Sequence, residues 1–305
     1  MGSQPQSHRH LYILDTDLSQ PQPRCGRILS CLTDGSDRKT IIDNITTMPD
    51  GIAIDHENNH MYWTNMGHNL KTKGGSIERA NLDGTDRKVI VAPGSMGVFT
   101  PKQITIARQS RKLYWCDREG MKVMRANMDG SEAEVLVSTG EESEDDRLDQ
   151  CRWCVGVAVD ERRGFFYWTQ KGPSKGERGR ILRAPIEARP QGFLPDRRWD
   201  VEVVFDGLPE PIDLEMDGES QTLYWTDRGD PPNGNSLNRA AVGMGGVPQV
   251  LATRLHETIG LALDRDEDVA YVTDLAGGVY AIDIKKRTKK VLFPELGDIT
   301  GIALV

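Results

Sequence analysis

The chain has 305 residues, 37% hydrophobic and 28% charged, with a formal net charge of −8 at pH 7. That length buries enough surface for a single domain without disulfide staples, and the negative balance argues against nucleic acid and anionic membranes as partners. No apolar run is long enough to span a bilayer, and the opening MGSQPQSHRH lacks a signal-peptide core, so a cytoplasmic location is expected.

Residues 1–10 read as a disordered tail, and a single domain is expected over 11–305. It begins with LYILD at 11–15, the first of six related units. The others are MYWTN at 61–65, LYWCD at 113–117, FYWTQ at 166–170, LYWTD at 223–227 and AYVTD at 270–274. Their tyrosines stand at 12, 62, 114, 167, 224 and 271, a period of about 50 residues, which marks a repeat fold. A second element precedes five of them at a constant offset of eleven residues to the Tyr: GIAID at 51–55, QITIA at 103–107, GVAVD at 156–160, DLEMD at 213–217 and GLALD at 260–264. A constant offset filled by polar residues such as HENNH and RQSRK predicts two strands joined by a tight turn.

A third strand follows each unit, as in SIERANLDG at 76–84 or KVMRANMDG at 122–130, and then a fourth, RKVIV at 87–91 or AEVLV at 133–137. The Asp-Gly pairs at 34–35, 83–84 and 129–130 predict hairpin turns in which Gly supplies positive φ. Four strands per repeat predict an all-β, six-bladed propeller of antiparallel blades. The last segment, TGIALV at 300–305, copies the innermost strand but stops before a Tyr unit. Gly301 to Val305 is therefore expected beside Leu11 to Leu14, closing the ring without a free edge.

The Tyr-Trp-Thr-Asp units and the IERANLDGT-like third strands resemble the six-bladed propellers of low-density lipoprotein receptors over nearly the whole chain. The resemblance implies that Tyr62, Trp63, Tyr114, Trp115, Tyr167, Trp168, Tyr224 and Trp225 are structural. It also implies that the acids of the units, and Arg79, Arg125, Arg183 and Arg239, brace neighbouring blades.

Function is then expected where loops converge on the scaffold, at the channel mouth ahead of the inner strands. Asp50, Lys102 and Gln103 make a polar arc there, facing an apolar arc of Trp153, Val155, Ile212 and Ile259. His68, Arg118, Lys171 and Arg228 join the rim from the loops after the Tyr units. Three insertions, at 140–150, 171–179 and 187–199, and PPNGN at 231–235 are expected over the same face as a lid or partner surface. CRWC at 151–154 has the gap of zinc and thioredoxin-type sites, but a second pair at defined spacing and a following helix are both missing, so free thiols are expected. No phosphate loop, nucleophile elbow or His-Glu zinc motif occurs, and the channel positions carry too few acids to cage calcium.

Two functions fit. In one, the loop face binds a protein or peptide, as receptor propellers do. In the other, a stand-alone propeller of this size resembles the fungal hetero-Diels–Alderases of tropolonic sesquiterpenoid biosynthesis. That resemblance implies small-molecule substrates, a polar cyclic methide and an apolar humulene-type terpene, joined without cofactor or metal. Such a reaction asks for cationic or amide donors to the developing oxyanion, for which Lys102, Gln103, Arg118 and Arg152 are candidates. It asks for a general acid and base, for which Glu210, Asp50 and His256 are candidates. Trp153, Val155, Ile212 and Ile259 would supply the hydrocarbon wall, with His68 and Arg228 as further substrate-binding residues.

Overall fold

The computed structural model describes residues 9–20, 24–174, 176–187, 194–243 and 245–305. The described strands form six four-stranded antiparallel sheets. Five sheets take four consecutive strands each, and the sixth combines the first three strands with the last. Ile299–Leu304 pairs with His10–Asp15 in the register Leu11 to Leu304, Tyr12 to Ala303 and Ile13 to Ile302. The expected closure therefore holds, and every inner strand has a paired neighbour. At its inner end the expected tail is shorter than ten residues, because His10 already belongs to a strand and Arg9 pairs with Asp264 and Asp266; residues 1–8 lie outside the described residues.

Each repeated side chain has its own task in holding the wheel together. Tyr12 shares a buried cluster with Trp63, Tyr62 with Trp115, Tyr114 with Trp168 and Tyr167 with Trp225, so the Tyr of one blade packs against the Trp of the next. Where the Trp is lost, Val272 and Ile13 fill its slot against Tyr224 and Tyr271. These rings bury a large apolar area at each seam. The Thr hydroxyls staple inner strands together: Thr169 accepts from Gly156 N at 2.7 Å and donates to Ile212 O of the next blade at 2.8 Å. Thr226 does the same between Asp213 N and Ile259 O, at 3.0 and 2.7 Å.

The acids of the units act differently from expectation. Asp117 accepts from the backbone N–H groups of Phe99, Thr100 and Gly120 at 2.6, 2.8 and 2.9 Å. Asp227 likewise accepts from Glu210 and Gly229. They fix the loops of their own blade rather than bridging blades, because a short carboxylate reaches the adjacent turn and not the next sheet. The arginines also brace chiefly within blades: Arg79 pairs with Asp86, Arg125 with Glu134 and Arg183 with Glu202, each on its own hairpin.

Gly51, Gly156, Gly260 and Gly301 occupy one position of four inner strands, where a Cβ would lie 2.2–2.6 Å from a carbonyl oxygen of the next inner strand. Glycine is required there because backbone meets backbone. The two remaining blades carry Gln103 and Asp213 at that position. Asp213 turns the difference into a bridge, accepting from Leu261 N of the next blade at 2.9 Å.

Blade three departs from the staple in another way. Cys116 takes the Thr position and reaches Gly156 O with a thiol at 3.2 Å, and it is fully buried, as its place in the repeat predicts. A thiol is a weaker donor and acceptor than a hydroxyl. Cys116→Thr is expected to raise stability by about 1 kcal/mol, read as a higher urea midpoint with an unchanged m-value. A lower midpoint would show that the slot is too tight for the added methyl group.

Candidate functional site

The structure brings most of the expected rim residues into one network. The Lys102 ammonium pairs with the Asp50 carboxylate, and Gln103 Nε2 donates to the same carboxylate at 3.1 Å. All three are buried. Burial pulls the Lys102 pKa down, and the Asp50 charge opposes that pull. Arg118 pairs with Glu119 at 2.6 Å and lies 4.8 Å over the Trp153 ring. Lys171 lies 5.2 Å over the same ring and pairs with Glu210 at 2.5 Å, which also receives Arg228 at 2.9 Å. Burial pulls the Lys171 pKa down as well, with Glu210 opposing. Each rim cation thus has a carboxylate, so the rim is a self-satisfied network.

Four expectations for this rim need correction. Val155, Ile212 and Ile259 are 1, 2 and 3% exposed and pack on one another with Leu275, so they form an apolar plug instead of an open hydrocarbon wall. Hydrocarbon side chains converging on an axis bury one another. Arg152 donates to Thr139 O at 2.6 Å and lies 3.2 Å from Asp149, which turns it into an anchor of the acidic insertion. His256 is exposed, and its backbone N–H donates to Asp274 at 2.9 Å. His68 is exposed on its loop, 3.1 Å from Thr46 O.

The first insertion does cover the rim face. It contains the short helix Glu144–Leu148, and the indole of Trp153 donates to Arg147 O at 2.8 Å while the Arg147 guanidinium lies 4.8 Å over Phe99. Lys73 and Lys122 hold Glu142 at 2.6 and 3.1 Å. Residues 175 and 188–193 of the other two insertions lie outside the described residues. Cys151 and Cys154 are free thiols, and burial pushes Cys154 up to about 12.

Sequence reasoning missed a cavity on the channel axis. It has a volume of about 350 Å³ and opens at the opposite end of the channel, where the inner strands finish. Its wall includes Ala53, Thr105, Ala158, Ala262 and Ala303, one equivalent position of five inner strands, with Glu215 at that position in the sixth. Glu215 is half-buried and makes no hydrogen bond among the described residues; burial pushes its pKa up, while Arg265 and Arg108 oppose the shift. Asp213, two residues earlier on the same strand, is pushed well above the usual carboxylate range, first by burial and then by the charge of Glu215. His56, Arg108, Arg162 and Arg265 surround the mouth. A carboxyl held toward its neutral form in the wall of a cavity is a usual setting of a general acid. The signal was present in the sequence as DLEMD, in which Glu replaces the small residue of every other copy.

No protein-family model matches the chain. It is 65% identical over 316 residues to low-density lipoprotein receptor-related protein 1 of Pyricularia oryzae, with all of both chains covered. The chain belongs to the low-density lipoprotein receptor-related propeller family. A second relative, the 3-hydroxyacyl-CoA dehydrogenase-like protein LAM1 of Cochliobolus heterostrophus, is 38% identical over 309 residues, which cover 96% of this chain and 64% of that protein. The propeller in a crystal structure of a nidogen/laminin complex superimposes with a TM-score of 0.74, at 20% identity, over 97% of this chain and 98% of that one. This likeness shows that the family fold is the six-bladed wheel described above. Among the described residues of this family member, no helix is long and apolar enough to cross a membrane.

Proposed function

We propose that this propeller is a cytoplasmic, cofactor-independent biosynthetic enzyme that joins two small molecules in the axial cavity. The reaction is a hetero-Diels–Alder addition of a tropolone-type o-quinone methide to the alkene of a humulene-type terpene. The observation that carries the reading is Glu215, a carboxyl without a hydrogen-bond partner among the described residues, its proton affinity raised by burial, in the wall of the axial cavity.

Glu215 gives its proton to the hydroxyl of a hydroxymethyl precursor, the C–O bond breaks and water leaves. The resulting carboxylate takes the proton of the neighbouring ring hydroxyl, which leaves a neutral methide and restores the acid. The four-atom methide unit and the alkene then form one C–C and one C–O bond, closing a dihydropyran with no further proton transfer. Holding both partners face to face supplies up to about 7–11 kcal/mol in ideal cases, and the alanine positions leave room for a hydrocarbon. The name of the Cochliobolus relative is that of a metabolic protein, which favours small-molecule chemistry. The sequence-derived rim residues Asp50, Lys102, Gln103, Arg118 and Glu210 serve the scaffold in this reading.

Purified protein, a hydroxymethyl tropolone and humulene are expected to give cycloadduct faster than the spontaneous reaction and as one stereoisomer. Racemic product at the background rate would refute the proposal. A second reading is favoured by one feature of the rim: the Trp153 ring between Arg118 and Lys171 has the composition of a protein-binding hot spot. Under it, Trp153→Ala abolishes capture of a stoichiometric protein partner and leaves small molecules unaffected.

A further inference from the structure

Of the arginines at the mouth of the axial cavity, Arg108 and Arg162 have no anionic partner among the described residues, and Arg265 has only Asp217 at 4.0 Å. One equivalent position, just beyond the inner strands, holds His56, Arg108, Glu161, Gly218 and Arg265 in five blades, so these residues form one ring. Its only acid, Glu161, is occupied: its two oxygens accept from the backbone N–H groups of Gln109 and Ser110 at 2.8 and 2.7 Å. The acids at the strand ends are also committed. Asp55 holds Arg111 and Asn58, Asp160 holds Arg163, Asp264 holds Arg9, and Asp217 holds Ser220 and the N–H of Glu219.

Among the described residues, Arg108 and Arg162 have neither a hydrogen bond nor an ion pair, and Arg265 spends one donor on Met216 O at 2.6 Å and makes a long ion pair with Asp217 at 4.0 Å. The rim at the other end contrasts with this, since Lys102, Arg118, Lys171 and Arg228 each have a carboxylate in contact. Guanidinium forks with free donors at the mouth of a cavity are suited to a planar pair of anionic oxygens.

We infer that the ligand of this cavity carries a planar oxyanion head, a carboxylate or a ring enolate, which Arg108 and Arg265 grip at the mouth with Arg162 and His56 beside them. Its uncharged end then lies along the alanine wall toward Glu215. This orientation keeps the anion at the mouth and leaves Glu215 facing a neutral group, so the two acids of the complex do not repel each other across the cavity. The inference rests on the reading that the axial cavity is the working site, and it adds the charge and polarity of what enters there.

Isothermal titration of the full chain with four probes tests it: benzoate as carboxylate, tropolone at a pH where it is ionised as enolate, and benzyl alcohol and cycloheptanone as neutral counterparts. At least one anionic probe is expected to bind 10-fold or more tighter than its neutral counterpart. Arg108→Gln and Arg265→Gln are each expected to weaken that probe about 10-fold or more, the usual loss for a charge-assisted hydrogen bond. The rim variant Arg228→Gln is expected to leave the affinity unchanged. Benzoate preferred over tropolone identifies a carboxylate head, and the reverse an enolate head. Equal binding of anionic and neutral probes, no binding of any probe, or undiminished binding by both cavity variants overturns the inference. Both arginines are exposed, so unchanged thermal unfolding of the variants separates lost recognition from lost fold. Anion binding without cycloaddition would sink the proposed reaction and leave this inference standing.

Discussion

Glu215→Gln is expected to lower the cycloaddition rate from the hydroxymethyl precursor by at least about 100-fold, while substrate affinity stays within a few-fold. Gln keeps the shape of the side chain and removes the proton that the leaving hydroxyl needs. Supplying a methide generated in solution should restore much of the rate, because the later bond-forming step uses no proton. In the native protein the rate should fall as pH rises through the raised pKa of Glu215, since only the neutral carboxyl is an acid.

The same variant should move stability in the opposite direction. Burial raises the folded pKa of Glu215 above its unfolded value. At low pH both states hold the proton and the group takes nothing from stability. As pH rises through the ordinary carboxylate range of about 4.3, the unfolded chain releases its proton first, so stability falls until the folded carboxyl ionises too. Gln removes this loss, so Glu215→Gln should unfold at a higher temperature than the native chain at pH 7 and at nearly the same temperature at pH 3. A slower enzyme that is also more stable is the signature of a side chain kept for chemistry. An unchanged rate at pH 7 would remove Glu215 from the mechanism, and the cavity assignment with it.

The wheel was legible because its repeat is carried by side chains with fixed inter-blade tasks. A Tyr that must meet the next blade's Trp, and a Thr that must bond the next inner strand, cannot drift in sequence without opening a seam. The closing strand was legible for the same reason, since TGIALV repeats an inner strand with no Tyr unit of its own. The two ends of the channel were harder. Loop residues before the inner strands vary conspicuously, and Val155, Ile212 and Ile259 looked like an apolar wall because a sequence does not reveal that three hydrocarbon side chains meet at one axis. The opposite end hides its identity in a single letter, Glu215 among alanines and a threonine. Among the departures from the repeat, Gln103 and Asp213 in place of Gly and Cys116 in place of Thr serve the scaffold, whereas Glu215 in place of Ala marks the proposed site.

Lys102→Met is expected to destabilise the fold by about 3–5 kcal/mol, because it leaves Asp50 buried at 0% exposure without its cation. Asp50→Asn alone should cost less than this, since Asn presents a neutral group to Gln103, yet it strands the buried ammonium. The double variant Lys102→Met, Asp50→Leu removes both charges together and should recover most of the loss, as replacing a whole buried pair by apolar groups is often neutral. With Asp50→Leu made alone as well, the urea midpoints of the native chain, Lys102→Met, Asp50→Leu and the double variant close the cycle and give the coupling energy. The cycle also separates the two ends of the channel. If the pair only braces the rim, the folded double variant should catalyse the cycloaddition within a few-fold of the native rate, because its chemistry lies at the far end with Glu215. A double variant as stable as the native chain but without activity would return the reaction to the rim, and would make the arginines at the other mouth a second site without a role in this reaction.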